Sequence, residues 1–167
     1  MGRRRINGDA SNNTLNGNLL SNRLLGRHGN DHLIGREGND KLIGHDNHDH
    51  LQAGPGHDLL RGGHGQDRLR GGSGDDILNG GIGHDTLTGG RGKDHFRLSQ
   101  GNDIIKDFSI RENDQLIFGK YIEPLFIQRG VDLVITDPSR NIHTTLLDTS
   151  KEELLSHLQS TDSSDQI

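Results

Sequence analysis

A large apolar residue returns at every ninth position along most of this chain: Leu15, Leu24, Leu33, Leu42, Leu51, Leu60, Leu69, Leu78, Leu87, Phe96 and Ile105. A period of nine is neither the helical 3.6 nor the two of a plain strand, and it marks a small unit repeated in a stack. Within each nine, the first six residues are turn formers and the last three are strand formers. Alternation along that short strand sends the central apolar residue inward and its two neighbours outward. Two units make one coil, so alternate units stack on the same side. The inward residues then form a thin core between two parallel sheets, with rungs about 4.8 Å apart.

The units themselves are regular. Gly26 to Arg97 reads GRHGNDHLI, GREGNDKLI, GHDNHDHLQ, AGPGHDLLR, GGHGQDRLR, GGSGDDILN, GGIGHDTLT, GGRGKDHFR, with no insertion or deletion. The unit is Gly-Gly-X-Gly-X-Asp-X-U-X, where U is large and apolar. Two degenerate units precede it, GDASNNTLN from Gly8 and GNLLSNRLL from Gly17. There Asn13 and Asn22 replace the aspartate, and Leu20 stands where a glycine would allow positive φ. An eleventh unit, LSQGNDIIK, keeps Gly101, Asp103 and Ile105.

Then the period stops. Asp107-Phe108, Gln115 to Phe118, Leu125 to Gln128, Val131 to Thr136 and Asn141 to Leu147 read as strands, with a turn at Arg129-Gly130. Ser150 to Glu153 is a capping-box pattern. It opens a short helix with Leu154, Leu155 and Leu158 on its apolar face. Ser160 to Gln166 is polar and expected to be disordered. The expected fold is all-β: a parallel β-roll, a β-helix-like solenoid, with a small β-rich C-terminal cap and a short terminal helix. The expected division is 1–25 as degenerate capping repeats, 26–106 as the roll and 107–167 as the cap.

Composition sharpens this picture. Only 28% of the 167 residues are hydrophobic and 3% aromatic, there are 25 glycines, and the mean hydropathy is -0.78. Without the period those values would suggest disorder. The net charge of -5 balances 19 basic against 24 acidic residues and selects no partner. The absence of cysteine excludes disulfides and thiolate metal sites. No apolar run approaches the ~18 residues of a membrane-spanning helix. Arg3, Arg4 and Arg5 are followed by Ile6-Asn7-Gly8-Asp9 where a cleaved secretion signal needs an apolar region, and they are too few for nucleic acid. Met1 reads as the start of a short complete frame. The core is thin, and a column of aspartates repels itself, so a cation is needed at the turns. Calcium suits the residues present, because it takes ~6–8 oxygens from carboxylates and carbonyls at ~2.3–2.6 Å.

The nonapeptide resembles the RTX, or haemolysin-type, calcium-binding repeat, over about Gly8 to Phe108. The resemblance implies a calcium ion between the turns of one unit and the unit two further on. That gives the pairs Asp31/Asp49, Asp40/Asp58, Asp49/Asp67, Asp58/Asp76, Asp67/Asp85, Asp76/Asp94 and Asp85/Asp103. Turn carbonyls of Gly63, Gly65, Gly72, Gly74, Gly81, Gly83, Gly90 and Gly92 would complete the sites. The chain departs from the pattern at Asn47 and Ala53, which replace glycines. The two degenerate units are read as a cap that keeps the strand and loses the metal. Asp107 is a further candidate ligand of the last ion. The segment from Phe96 to Leu116 resembles the one that closes many bacterial RTX modules. It implies a secreted protein that folds in extracellular calcium and leaves by a type I exporter, without a cleaved N-terminal signal.

Other readings rest on single features. Eleven histidines, with His45, His48 and His50 close together, raise transition-metal binding, but most occupy outward or turn positions and none form a helical ligand pair. Outward His32, His50, Arg68 and Arg70 on one face, and Arg23, Lys41, Arg61, His95 and Arg97 on the other, suggest an acidic polysaccharide, as in the RTX modules of alginate epimerases that the chain resembles. No zinc-protease motif, nucleophile elbow or paired-carboxylate cleft is present, so no enzymatic activity is expected.

Overall fold

Each nine-residue unit contributes one strand to a computed structural model that describes residues 4–119 and 124–162. One face holds β1 (Arg4–Asn7), β3 (Asn22–Arg27), β5 (Lys41–Asp46), β7 (Leu59–Gly65), β9 (Ile77–Gly83) and β11 (His95–Arg97). The other holds β2 (Thr14–Asn16), β4 (His32–Ile34), β6 (His50–Pro55), β8 (Arg68–Ser73), β10 (Thr86–Arg91) and β12 (Gln100–Ile105). All of these pair in parallel, and each residue faces its equivalent two units on: Leu42 lies beside Leu60, and Leu60 beside Leu78. This is the all-β parallel roll that the period of nine predicts.

Most of the roll strands are longer than three residues, though β2, β4 and β11 are not. The best reach seven, as in β7 and β9, because the ladder continues through the Gly-Gly-X that opens the next unit. Those turn residues would otherwise leave their peptide groups unpaired, and pairing with the neighbouring coil satisfies them. The central apolar residues from Leu15 to Ile105 are all buried, Leu24 to Leu60 completely. The column also starts one unit earlier than the pattern suggests, since Ile6 lies in register with Leu24.

The column continues into the cap by residues outside the period. Leu116 on β13 (Gln115–Ile117) lies beside Phe96, and Leu146 on β16 (Ile142–Leu146) lies beside Ile105. The cap thus adds one more parallel rung to each face. It then turns antiparallel through β15 (Asp132–Asp137) and β14 (Leu125–Arg129), with Gly130 and Val131 at the turn. Asp107-Phe108 is not a strand. Phe108 closes the core against Phe96, with ring centroids 6.2 Å apart, and the Asp107 carboxylate is held at a turn described below.

The terminal helix α1 (Lys151–Asp162) begins with the Glu153 N–H bonded to the Ser150 hydroxyl at 3.3 Å, and it buries Leu154. It includes Ser160 to Asp162, where the polar sequence predicts disorder. Arg3, the Leu158 side chain and residues 163–167 lie outside the described part. No helix among the described residues is long and apolar enough to cross a membrane.

Removing one rung of the column should be costly. Leu60→Ala, at a fully buried position, is expected to destabilise the calcium-loaded protein by ~2–5 kcal/mol. Leu19→Ala, at a residue 63% exposed, should stay within ~0.5 kcal/mol. Chemical denaturation of both in millimolar calcium measures the difference.

Candidate metal centre

The repeat aspartates point into the roll. Asp31, Asp49, Asp58, Asp67, Asp76, Asp85, Asp94 and Asp103 are each at most 3% exposed. One oxygen of each carboxylate is committed to the coil below. The N–H of Asp31 donates to Asp49 Oδ1, that of Asp49 to Asp67, that of Asp67 to Asp85 and that of Asp85 to Asp103, at 2.8–3.0 Å. On the opposite edge Asp40 donates to Asp58, Asp58 to Asp76 and Asp76 to Asp94 in the same way, at 2.6–2.9 Å. The aspartates paired in the sequence reading are therefore neighbours, joined directly by peptide-to-carboxylate bonds.

The other oxygen is different. Oδ2 of Asp31, Asp49, Asp58, Asp67, Asp76, Asp85 and Asp94 is buried and has no hydrogen-bond donor among the described residues. Leaving a buried carboxylate oxygen unmet costs several kcal/mol. Those of Asp31, Asp49, Asp67, Asp76, Asp85 and Asp94 each lie in their own turn beside the first-position glycine of the unit. A Cβ added at Gly26 would collide with Asp31 Oδ2 and lie 2.9 Å from the Gly44 carbonyl oxygen. At Gly71 the pair is Asp76 Oδ2 and the Gly89 carbonyl oxygen, the latter at 2.7 Å. First-position glycines thus keep open a cradle lined by one carboxylate and one carbonyl oxygen. The repeat pattern points only to the second- and fourth-position carbonyls, and the structure adds those of Gly44, Gly80 and Gly89.

The second and fourth glycines serve closeness as well as conformation. Gly65 has φ of 137°, and a Cβ there would strike the Asn47 carbonyl of the coil below. Asn47 itself, one of the two departures, takes φ of 79° as its glycine counterparts do. Its side-chain oxygen accepts the Gly29 N–H at 3.1 Å. Ala53, the other departure, sits fully buried in the first-position slot. Asp49 and Asp58 keep the common geometry despite both.

Among the described residues no three His, Asp or Glu side chains converge on one point. Any ion at these turns must therefore be completed by peptide oxygens, a donor set of hard oxygens that suits calcium and not zinc or copper. The histidines are used otherwise. His48 Nδ1 accepts the Gln66 N–H at 2.8 Å, His57 Nδ1 that of Asp75 at 2.9 Å and His84 Nδ1 that of Asn102 at 3.0 Å. His32 and His50 stack on the outer face with centroids 4.8 Å apart, and His28 Nδ1 meets Asp46 Oδ2 at 2.9 Å.

The ends of the column depart from the middle. Asp103 Oδ2 accepts the Ser99 hydroxyl at 2.9 Å. Asp114, which sequence reasoning did not treat as a site residue, accepts the Asp94 N–H at 2.9 Å and the Ser109 N–H at 2.8 Å. The signal for it was the run Asp114-Gln115-Leu116-Ile117, an Asp-X-U-X displaced from the period. Asp107 spends both oxygens on the N–H groups of Gly89 and Gly90, each at 2.9 Å.

Burial is the main reason these carboxylates resist ionisation. It pushes Asp76 up to about 8, with the charges of Asp58, Asp94 and Asp75 adding to the effect and the Asp58 N–H opposing it. Asp49, Asp67, Asp94 and Asp103 are raised by burial to about 7, and Asp58 to about 6. Asp31, Asp85 and Asp114 move in the same direction for the same first cause. A bound divalent cation would reverse this preference and hold the carboxylates charged.

Comparison with known proteins agrees with this chemistry. The profile of the RTX calcium-binding nonapeptide repeat (4 copies) matches residues 16–51, 43–78 and 70–105, together more than half of the chain. The chain belongs to the RTX calcium-binding repeat family, and its repeats are calcium-binding units. Among solved structures it is similar to the solution structure of the AlgE6R3 subunit from the Azotobacter vinelandii mannuronan C5-epimerase. That match has 20% identity and a TM-score of 0.30, and covers 83% of this chain and 72% of the other. No curated protein matches the chain.

Metal-free protein should respond to pH with a defined sign. The folded carboxylates titrate near 6–8 and unfolded ones near ~3.9, so the folded form binds more protons between those limits. Stability in chelator is thus highest in acid and falls as pH rises through 6–8. Circular dichroism in EDTA should show more sheet at pH 5 than at pH 9, and calcium should flatten that dependence.

Proposed function

We propose that this chain is a non-enzymatic, secreted calcium-dependent module that completes its fold only when calcium fills the turns. The observation that carries this reading is the set of seven buried aspartate oxygens without donors among the described residues, six of them beside a first-position glycine and the Asp58 one in the turn opened by Ala53. The ligands would be the aspartates from Asp31 to Asp103. The first-position carbonyls and those of Gly63, Gly65, Gly72, Gly74, Gly81, Gly83, Gly90 and Gly92 would complete each shell. The ion supplies positive charge where the chain has none, and the chain supplies spacing, through one peptide-to-carboxylate bond per coil that fixes where the second oxygen points.

Sites of the affinity usual for extracellular calcium modules would each add ~1.4 kcal/mol at a tenfold excess of free calcium. Several such sites together match the stability of a small domain. At cytosolic calcium that support is withdrawn. This suits passage through a type I exporter, which needs an unfolded chain inside the cell and a folded one outside. The aspartates are engaged in ladders and turns, which leaves them unsuited to acid–base catalysis. Calorimetric titration of EDTA-treated protein, followed in parallel by circular dichroism, tests the reading. Several calcium ions should bind as sheet signal appears, and an unchanged sheet signal with no heat would refute it.

A second reading, binding of acidic polysaccharide, is favoured by one groove. It has a volume of about 470 Å³, a floor of Gly54, Gly71, Gly72 and Gly90, and the side chains of Gln52, Arg70 and Arg91 along it. The histidines contribute less to this face than their number suggests. Burial, then the neighbouring His32 and Arg68, lower the pKa of His50 and favour its neutral form. Retention on an acidic polyuronate column should weaken several-fold in the Arg70→Ala, Arg91→Ala double variant, with calcium stoichiometry unchanged.

A further inference from the structure

Asn22 stands where the repeat has aspartate, and its surroundings show what that change accomplishes. The side chain is fully buried. Its Nδ2 donates to the carbonyl oxygen of Asn18 at 3.2 Å, to the carbonyl oxygen of Leu20, and to Asp40 Oδ1 at 3.0 Å. Its backbone N–H donates to the same Asp40 oxygen at 2.6 Å. One nitrogen is therefore ringed by oxygens from three residues. Two are peptide carbonyls from the second and fourth positions of its own turn, and the third is a carboxylate from the unit two further on. The opposite amide orientation would aim Oδ1 at those same oxygens, so the acceptors themselves fix which atom points inward.

An oxygen-only surround of carbonyls and a carboxylate is what a cation requires. These are also the turn positions that the calcium reading assigns to the ion elsewhere in the roll. We propose that the Asn22 amide nitrogen is a built-in substitute for the first ion on its edge, so that this turn is held by the chain's own N–H groups, with Asn22 Oδ1 left buried without a donor among the described residues, and calcium is needed only beyond it. This rests on the calcium reading of the other turns.

The neighbouring geometry agrees. The turn before Asn22 is held by the Asn18 side-chain oxygen, which accepts the Leu20 N–H at 3.0 Å, and Leu20 does not adopt positive φ. That explains how a leucine replaces a glycine there. On the opposite edge Asp9 accepts the Ser11 N–H at 2.8 Å in the same manner. Asn13 closes that turn by accepting the Asp9 N–H at 2.8 Å and donating to the Asp9 carboxylate at 3.1 Å. At the far end the Ser99 hydroxyl and the Ser109 N–H meet the outer oxygens of Asp103 and Asp114. Donors from the chain itself thus bracket the stretch in which carboxylate oxygens are left bare.

The test exchanges amide and carboxylate in both directions and counts ions by calorimetry. Asn22→Asp should bind one calcium more than the parent and need a higher calcium concentration to reach half its sheet signal. Asp31→Asn extends the amide-closed region by one unit, on the opposite edge of the roll, and asks whether an amide can replace an ion in a regular turn. It should bind one calcium fewer, remain folded and need less calcium to fold. A folded Asn22→Asp protein with the parent stoichiometry would overturn the inference. If Asn22→Asp does not fold, Asp31→Asn decides: loss of the roll in saturating calcium counts against an amide substitute, and a folded protein with one ion fewer supports it. A parent chain that binds no calcium would instead refute the underlying calcium reading, so the two failures are distinct.

Discussion

The structure depends on a carboxylate divided between two tasks. In each coil one aspartate oxygen accepts the peptide N–H of the aspartate below it, which sets the rise and register of the stack. That bond holds the second oxygen in the interior, where, for Asp49, Asp58, Asp67, Asp76, Asp85 and Asp94, no donor among the described residues meets it. The same bond that builds the coil thus creates the need for a cation. On the calcium reading proposed above, folding and ion binding are coupled because they would use the two oxygens of one group.

Protons are the alternative occupant. Buried carboxylates raised to about 6–8 remain largely protonated in mild acid, and a calcium ion bound by them would have to displace those protons. The leucine column does not remove this dependence. It is one side chain wide, and it orders the rungs without the cross-section that would make the turns secondary. Glycine has a steric role in the same account. It leaves the cradle open at the first position and permits close approach of successive coils at the second and fourth. In the early units Arg27, Arg36 and His45 occupy the second position with φ of 83–91°, a strained state for such side chains that the stacked coils impose.

The ends are solved with different chemistry. At the start, asparagine amides and short side-chain-to-backbone bonds close turns that lack the fourth-position glycine and the repeat aspartate. At the finish, Asp107, Asp114, Ser99 and Ser109 satisfy the last turns, while Leu116 and Leu146 extend the two sheets and Phe108 covers the core. The antiparallel strands that follow turn the edge of the roll away from further parallel addition.

The nonapeptide by itself determined the parallel roll, its inward column and the preference for a hard cation at the turns. Each follows from residue type at a fixed spacing. Tertiary structure decided which oxygen of each aspartate is used by the coil and which is left bare, because that choice is made against an N–H two units away. It also brought the first-position carbonyls to the cradle, placed Asp114 in the ladder in spite of its displaced spacing, and turned Asn22 into a donor ringed by oxygens. These features were not legible in the sequence because they depend on which atoms the stacking of coils places together, and local pattern does not record that.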